Sequence, residues 1–313
     1  MRLITPSSPN YKDLEKPIRE ILKSKDLTTG KWTKKVEEKI KKIHGCKYCI
    51  LTGNATTSFM LLIKAVEKQF KFKSIYMQDF TWQSTKNIVE WLYKGKIHYV
   101  DINKSTWLAE EPNKDCLFIP NMTFGNVKTY KHKNTIYDSS HSIGNKECNG
   151  RGFGEIISFS PAKMITGCEG GCVITNNEKI YEEVLRLRSF HGRVSELDAL
   201  FLYYNLNNLE KQIKLKKKID DYYSCELNVD FETWVLGNIN FTTNEIVYTH
   251  PKMNDKKREE LGKLFPIRLR YKPTNKKNKN SMWIYKHHIV LPQVTGKAQM
   301  EVIKKLNESC SHL

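Results

Sequence analysis

A single lysine on a short turn between two apolar segments is the residue best suited to chemistry in this 313-residue chain. The segment from Ser158 to Gly171 reads SFSPAKMITGCEGG, with Lys163 five residues after the serine and a Glu-Gly-Gly turn downstream. Because a buried ammonium group is costly to desolvate, such a lysine is usually paired or chemically engaged. One such engagement is a Schiff base with an aldehyde cofactor. The alternative is an ordinary surface-loop lysine in a lysine-rich protein.

A carboxylate and a histidine follow another predicted strand. Asp138 comes directly after Thr-Ile-Tyr, and His141 lies three residues further on. Pyridoxal phosphate, an aldehyde cofactor with a pyridine ring, needs a carboxylate beside the ring nitrogen, which makes the ring an electron sink. Asp138 is the candidate for that role, and His141 is a candidate to bond the phenolic oxygen. The alternatives are a turn or N-cap aspartate and an ordinary histidine at a helix start.

Hydroxyl-bearing residues at the start of a predicted helix form a candidate anion site. Thr56 and Thr57 open the helix that follows Gly53. The N–H groups of a helix start bind phosphate. Simple N-capping is the other interpretation, and the two roles are compatible. Ser158 is a candidate for a further hydroxyl contact with the same phosphate. Trp82 follows another predicted strand and is a candidate to stack on the ring, with a core tryptophan as the alternative.

Strands and helices alternate along most of the chain. This pattern predicts an α/β fold with a mainly parallel sheet, a large domain over residues 1–220 and a small C-terminal domain over 221–313. Ligands of open α/β sheets gather at the carboxyl ends of the strands, where each candidate residue is expected to lie. A long helix is predicted over 195–223 and a mobile loop over 272–280. Strands of the large domain are predicted at 48–51, 74–77, 97–101, 117–120, 135–137, 155–159 and 172–174.

Charge and cysteine content narrow the class of protein. The net charge of +18 favours anionic partners, but the lysines are scattered, which argues against a nucleic-acid groove. Cys46 and Cys49 have CxxC spacing, but no second pair stands at zinc-site spacing. We therefore expect reduced, structural cysteines and no metal site. No apolar run approaches the ~20 residues of a membrane span and no signal peptide is recognisable, so a cytoplasmic protein is expected.

An ordered series of blocks resembles the DegT/DnrJ/StrS aminotransferases, which are fold-type-I pyridoxal-phosphate enzymes acting on nucleotide-linked keto sugars. Any one block is weak, but the ordered set covers nearly the whole chain. The resemblance implies a seven-stranded sheet between helices, a small α+β domain, and a homodimer with shared active sites. The blocks are LTTGKWTKKVEE (27–38), TGNATTS (52–58), DFTWQST (79–85), PNMTFGN (120–126), YDSSHSIG (137–144), GRGFGEIISFSPAKMITGCEGGCVIT (150–175), RSFHG (188–192), IRLRYKP (267–273) and LP (291–292).

The same resemblance implies a role for each candidate residue. Lys163 takes the Schiff base and, once free, shuttles a proton to the carbon that receives the amine. Asp138 pairs with the pyridinium nitrogen. Glutamate is the implied amino donor and a nucleotide-linked keto sugar the acceptor. The remaining cofactor contacts are stacking by Trp82, phosphate binding by Thr56, Thr57 and Ser158, and a bond from His141 to the phenolic oxygen. Candidates for substrate binding are Thr29, Arg270 and Tyr271, with structural roles as the alternative.

Several positions depart from the family pattern. Arg193 follows Gly192 directly, where the family usually has a longer loop with an asparagine that reaches the other subunit's phosphate site. Met122 stands where a histidine is common. Dehydratases that resemble this family carry histidine at the lysine position, so Lys163 favours amino transfer. Two alternatives stay open: a related pyridoxal-phosphate enzyme on a nucleotide sugar, dehydratase-like or degraded, and a basic nucleic-acid-binding protein that kept the fold.

Overall fold

A seven-stranded sheet forms the centre of the computed structural model, which describes residues 4–227, 232–233, 245–267 and 271–310. Its order is β1-β7-β6-β5-β4-β2-β3: a four-stranded and a three-stranded part meet through parallel bridges from Phe118 to Thr135 and from Asn121 to Asp138. The strands are β1 (Tyr48–Thr52), β2 (Ser74–Gln78), β3 (Lys96–Val100), β4 (Leu117–Ile119), β5 (Ile136–Asp138), β6 (Gly154–Ser158) and β7 (Gly171–Thr175).

Among the described strands of this sheet, only β7 is antiparallel to the others. It pairs antiparallel with β1 and β6, whereas β2 pairs parallel with β3 and β4, and β5 pairs parallel with β6. Parallel strands share one carboxyl edge, so the ends of β2, β4, β5 and β6 lie on the same side of the molecule. The predicted α/β fold with a mainly parallel seven-stranded sheet is confirmed.

Helices cover both faces of the sheet. Successive strand residues point to opposite faces, so Ile156 and Val173 join the core under α3 and α5, whereas Ile157 and Cys172 join the core under α1, α2 and α6. Because both faces of the sheet are buried, the sequences of these strands are continuous apolar runs. The helices of this layer are α1 (Tyr11–Ser24), α2 (Lys31–His44), α3 (Ala55–Gln69), α4 (Gln83–Leu92), α5 (Glu178–His191), α6 (Glu196–Asn205) and α7 (Leu209–Glu226).

The long helix predicted over residues 195–223 is in fact two helices. A 3₁₀ turn at Leu206–Asn208 separates α6 from α7. Asn205, fully buried just before this turn, donates hydrogen bonds through its side-chain amide to the Ser7 carbonyl (3.2 Å) and the Thr166 carbonyl (2.8 Å). The amphipathic pattern continues across the break, so the sequence contains no marker for it other than the asparagines.

The C-terminal part builds a second, smaller sheet in the order β10-β9-β8. Its core also takes Ile219 and Tyr223 from α7, so the predicted boundary at residue 220 falls inside that helix, and the division into two domains stays a prediction. The elements are β8 (Glu232–Thr233), β9 (Ile246–Thr249), α8 (Asp255–Leu264), α9 (Lys279–His287), β10 (His288–Leu291) and α10 (Lys297–Cys310).

The loop predicted to be mobile over residues 272–280 is fastened to the large sheet. Asp79, directly after β2, accepts hydrogen bonds from the backbone N–H groups of Thr274 (2.7 Å) and Asn275 (2.9 Å) and from the side-chain amide of Asn278 (2.9 Å). The lysines and asparagines of this segment look like a solvated loop in the sequence, but two backbone N–H groups and one side-chain amide of the segment donate to a carboxylate far away in the chain.

Three further features concern the cysteines, metal binding and membrane spans. All eight cysteines are free thiols. Across the described ranges, no cluster of histidine, cysteine and carboxylate side chains has the composition of a metal site. None of the helices in those ranges combines the length and apolar character needed to cross a bilayer.

Candidate active site

A cavity of about 200 Å³ opens at the carboxyl edge of the large sheet. Since one water takes about 30 Å³ of liquid volume, the cavity is far larger than an ordinary packing defect. Its walls come from the loops after β1, β2, β4, β5 and β6 and from the C-terminal part of the chain. The predicted site residues that it brings together are Thr56, Trp82, Asp138, His141, Ser158, Lys163 and Tyr271.

Asp138 is the last residue of β5 and is almost fully buried. Its Oδ2 accepts a hydrogen bond from Thr85 Oγ1 (2.9 Å), and its Oδ1 accepts two from Ser140, through the backbone N–H (3.2 Å) and Oγ (2.6 Å). These bonds fix the orientation of the carboxylate. Each oxygen of an ionised carboxylate has two lone pairs, so acceptor capacity remains for a donor in the cavity.

Lys163 lies on the turn that joins β6 to β7, and this turn is held by local hydrogen bonds. The Lys163 N–H donates to the Ser160 carbonyl (2.9 Å). The Phe159 carbonyl accepts from the Gly167 N–H (3.0 Å) and from Thr166 Oγ1 (2.8 Å). The half-buried lysine is therefore mounted on a fixed loop in the cavity wall, and the interpretation as a plain surface lysine does not fit this position.

Helix α3 starts at the cavity, with Ala55 and Thr56 in its wall. The unpaired N–H groups of a first helical turn and the positive end of the helix dipole favour an anion there. The start of β7 approaches this turn so closely that a Cβ on Gly171 would lie 2.4 Å from Ala55 N, so only glycine fits. The Thr57 N–H donates to the N-cap Asn54 Oδ1 (2.8 Å), and Thr57 is not among the described residues that line the cavity, so its contact with a phosphate stays a prediction.

Aromatic rings line the side of the cavity nearest the C-terminal part. Tyr271 stacks on Phe124 with ring centroids 5.1 Å apart and 14° between the planes, and Phe124 lies parallel to His141 at 5.9 Å. Trp82, half exposed at the start of α4, meets Tyr271 edge-on at 6.3 Å. A flat ligand bound between Trp82 and Asp138 would contact an aromatic ring on one side and a carboxylate on the other.

Of the predicted substrate residues, Thr29 is described and lies outside the cavity wall. The wall of described residues does not include Thr29, whose φ of 56° is left-handed and whose N–H donates to the Val194 carbonyl (3.1 Å). Its buried Oγ1 has no hydrogen-bond partner among the described residues. Arg270 lies outside the described residues.

Several wall residues were missed by the sequence analysis. Asn121 follows β4 and is buried, and its Oδ1 has no hydrogen-bond partner in the described part of the chain. Glu245 reaches the wall from the C-terminal part; its carboxylate favours the charged form of Lys216, but burial dominates and lowers the pKa of that lysine to about 8. A position directly after a predicted strand was a usable signal for Asn121, because Pro120 ends β4. No comparable signal marks Glu245.

The wall residues fit the needs of pyridoxal phosphate. A lysine, a buried carboxylate, a half-exposed tryptophan and a helix start face one cavity, and the orphaned Asn121 Oδ1 leaves a buried polar group for a ligand to satisfy. Lys163 is the residue that would hold the aldehyde carbon. Asp138 would face the ring nitrogen, and Thr56 and Ser158 would bind the phosphate.

Proteins of known structure share this architecture. A TDP-sugar enzyme, DesI, crystallised in the presence of its product, superposes with a TM-score of 0.86 at 14% identity, covering 100% of this chain and 93% of DesI. GDP-4-keto-6-deoxy-D-mannose-3-dehydratase from E. coli, with bound hydrated PLP, gives 0.81 at 18% identity, covering 99% and 100%. Pyridoxal phosphate, the cofactor expected for this chain, is thus bound by an enzyme of the same fold. Because the sequence identities are only 14% and 18%, the structural similarity shows the fold alone.

Relatives and a family match extend the comparison to the sequence. The chain is 28% identical to the GDP-4-keto-6-deoxy-D-mannose 3-dehydratase of Escherichia coli O55:H7 over 59% of this chain and only 54% of that enzyme. It is 25% identical to the UDP-4-amino-4,6-dideoxy-N-acetyl-beta-L-altrosamine transaminase of Campylobacter jejuni over 82% of this chain and 80% of the transaminase. Residues 10–113 and 129–261 match the DegT/DnrJ/EryC1/StrS aminotransferases. As the resemblance implied, the chain belongs to the DegT/DnrJ/EryC1/StrS aminotransferase family.

Proposed function

We propose that this protein is a pyridoxal-phosphate-dependent aminotransferase that moves an amino group from glutamate to a nucleotide-linked keto sugar. The observation that carries the proposal is that Lys163 and Asp138 line one cavity at the carboxyl edge of the sheet, beside the start of α3. The glutamate donor and a homodimer with shared active sites are implied by the family resemblance and belong to the same proposal. The cytoplasmic location expected from the sequence is proposed with them.

The cofactor, when bound, supplies an aldehyde carbon and an electron-withdrawing ring. Asp138, oriented by Thr85 and Ser140, holds a negative charge where the ring nitrogen would lie, which favours the protonated ring. Lys163 would hold the aldehyde carbon in the absence of an amine substrate. Once an amine substrate is bound, the free Lys163 amine would serve as the base and acid that moves the proton at the amine-bearing carbon.

The remaining wall residues bind and shield. The N–H groups at the start of α3, with Thr56 and Ser158, offer donors for the phosphate. Trp82 would cover one face of the cofactor ring, and the side chain of Tyr271, which contacts Trp82 and Phe124, would shield that ring from water. Each of these contacts orients the ligand, so that the Lys163 amine is the group in position to exchange protons.

The proposal is tested by the visible absorption of the protein purified with pyridoxal phosphate. We expect the wild type to show a bound-cofactor band that glutamate bleaches while 2-oxoglutarate accumulates. Lys163→Ala is expected to lose the covalent band and the turnover, whereas Lys47→Ala, which removes an exposed lysine outside the cavity wall, keeps both. A wild type that binds no cofactor under saturating conditions would overturn the proposal.

The second candidate is a dehydratase acting on a similar sugar, because the E. coli relative with 28% identity carries that activity. Dehydratases resembling this family carry histidine where this chain has Lys163, and this difference favours amino transfer. The two reactions leave different products. We expect nucleotide-linked keto sugars plus glutamate to give an amino sugar and 2-oxoglutarate in equal amounts. A deoxygenated keto sugar formed together with 2-oxoglutarate and free ammonia would instead establish the dehydratase, because replacing a C–OH by C–H consumes the two electrons that glutamate supplies.

A further inference from the structure

Asp79 and Lys86 form an ion pair that is completely buried, with both side chains 0% exposed and 3.0 Å between Lys86 Nζ and Asp79 Oδ1. Neither residue lines the cavity as described. Two buried charges are expensive, and a fold that merely needed to fill this space would be served equally well by apolar side chains. Burial lowers the pKa of Lys86, and the Asp79 carboxylate opposes that shift. The pair therefore calls for an explanation beyond stability.

The contacts of the pair are directed at one segment of the chain. Lys86 Nζ donates to the Lys272 carbonyl (2.8 Å) and to Thr274 Oγ1 (3.1 Å). Asp79 accepts from the N–H groups of Thr274 and Asn275 and from the side chain of Asn278. With their mutual bond, the two side chains make six polar contacts among the described residues, five of them to residues 272–278. They act as a clamp between the end of β2 and a segment almost 200 residues away.

The clamped segment begins immediately after Tyr271, which needs external support. Tyr271 has a φ of 56°, and its stacking partner Phe124 has a φ of 54°. The left-handed region is unfavourable for residues with a Cβ, and such conformations persist only where the surroundings impose them. Two adjacent aromatic rings in the cavity region thus both depend on their surroundings for their backbone conformation.

The residue before Asp79 supports the other ring. Gln78, also 0% exposed, donates through its side-chain amide to Thr123 Oγ1 (2.7 Å) and the Trp107 carbonyl (3.3 Å). Its Oε1 accepts from the Asn121 N–H (3.3 Å). Thr123 directly precedes Phe124, so consecutive side chains at the end of β2 hold the two halves of the aromatic stack.

We propose that Asp79 and Lys86 are positioning residues that hold Tyr271 over the cavity and thereby set the affinity for the keto-sugar substrate. The substrate part of this inference rests on the proposed function; the clamp itself does not. Substrate binding depends on where the Tyr271 ring stands, whereas the proton transfers depend on Lys163 and Asp138. Loosening the clamp is therefore expected to raise KM much more than it lowers kcat, because small misplacements of a binding group weaken binding first.

The first test is hydrogen–deuterium exchange of residues 271–287 in the cofactor-free protein. Asp79→Asn and Lys86→Met are expected to speed exchange in this segment while the core strands stay protected. Arg188→Met is the control: it removes another largely buried pair, with Glu37, that has no contact with the clamped segment. Unchanged exchange in both clamp variants would overturn the clamp, whatever the protein turns out to catalyse.

The second test is a double-mutant cycle with Tyr271→Ala on the holoenzyme. We expect KM for the keto sugar to rise at least about tenfold in Lys86→Met, and no further when Tyr271→Ala is added, because both changes remove the same contact. Multiplying effects, or a loss confined to kcat, would overturn the positioning role. If Asp79→Asn fails to fold, the test uses two substitutions of Lys86. Lys86→Met removes the charge, and Lys86→Arg keeps it and is expected to recover part of the substrate affinity that Lys86→Met loses. A wild type without transaminase activity defeats the proposed function alone, since the exchange result still decides the clamp.

Discussion

Thr85 Oγ1 donates a hydrogen bond of 2.9 Å to Asp138 Oδ2, joining the first turn of α4 to the end of β5. Both side chains are buried, so the bond is shielded from competing water. It makes the orientation of the carboxylate depend on a hydroxyl that approaches from a different strand–helix unit, 53 residues away in the sequence. The negative charge belongs to Asp138, whereas the orientation of its carboxylate depends on Thr85, so one substitution can test each property separately.

Asp138→Asn removes the charge and keeps the shape. We expect the transaminase kcat to fall by about 10²–10³, because a neutral amide cannot balance a protonated ring. Thr85→Val keeps the charge and removes one hydrogen bond, so a loss of about tenfold is expected. Steady-state kinetics with glutamate and a keto-sugar acceptor give both values. Full activity in Asp138→Asn would show that the carboxylate does not face the ring nitrogen.

Glu196 is expected to contribute strongly to stability. This carboxylate, 1% exposed, accepts hydrogen bonds from the N–H groups of Gly30 (2.8 Å), Trp32 (2.7 Å) and Thr33 (2.9 Å) at the start of α2. Glu196→Ala leaves these buried donors unsatisfied, and we expect the free energy of unfolding in urea to fall by about 3 kcal/mol. Glu210→Ala, an exposed glutamate of α7, serves as the control and should change it by less than about 0.5 kcal/mol.

His44 predicts a pH dependence of stability. The ring is 1% exposed; its Nδ1 lies 2.7 Å from the Cys148 carbonyl, and its Nε2 accepts from the Gly144 N–H at 3.4 Å, which leaves no acceptor for a second proton. Burial lowers the pKa of His44, helped by Lys146 and opposed by Glu155. Below about pH 6.5 the unfolded chain therefore binds more protons at this position than the folded one, and the stability contributed by His44 is lost as pH falls.

The check is urea unfolding at a series of pH values on either side of that point. The free energy of unfolding of the wild type is expected to fall with decreasing pH more steeply than that of His44→Gln, which cannot titrate. His191→Gln, at an exposed position, should keep the wild-type slope. Parallel curves for wild type and His44→Gln would contradict the assignment of a neutral buried ring.

Gly171 and Gly262 are expected to respond oppositely to alanine. A Cβ at Gly171 would meet backbone atoms of Ala55 at 2.4–2.5 Å, so Gly171→Ala must push the start of α3 away from β7. We expect a loss of about 1–3 kcal/mol and weaker cofactor binding, followed by thermal unfolding and by fluorescence titration with pyridoxal phosphate. In helix α8, a Cβ at Gly262 meets its nearest atom at 3.7 Å, and Gly262→Ala should gain about 0.5–1 kcal/mol. A neutral Gly171→Ala would contradict the tight approach.

The sequence predicted the large sheet well because its strands are buried on both faces. Apolar runs located β1 and β7 within one residue at each end, and the residues that follow the strands led to Trp82, Asp138 and Lys163. The break between α6 and α7 was missed, because a 3₁₀ turn preserves the helical pattern of apolar residues.

What the sequence could not predict depends on contacts between distant segments. Asp79 and Lys86 are seven residues apart and carry no sequence signal of burial, yet both side chains are completely buried and hydrogen-bonded to residues 272–278. A role that depends on a contact with a distant segment cannot be recognised from the local sequence.

The reversed direction of β7 has a consequence for how this protein family can diversify. The chain leaves β6 and enters β7 at the same edge, so residues 159–170 begin and end beside the cavity without crossing the sheet. Such a stretch can lengthen, shorten or change composition over evolutionary time without altering the order of the strands. Selection can rewrite the surroundings of Lys163 for a new substrate while the scaffold stays as it is.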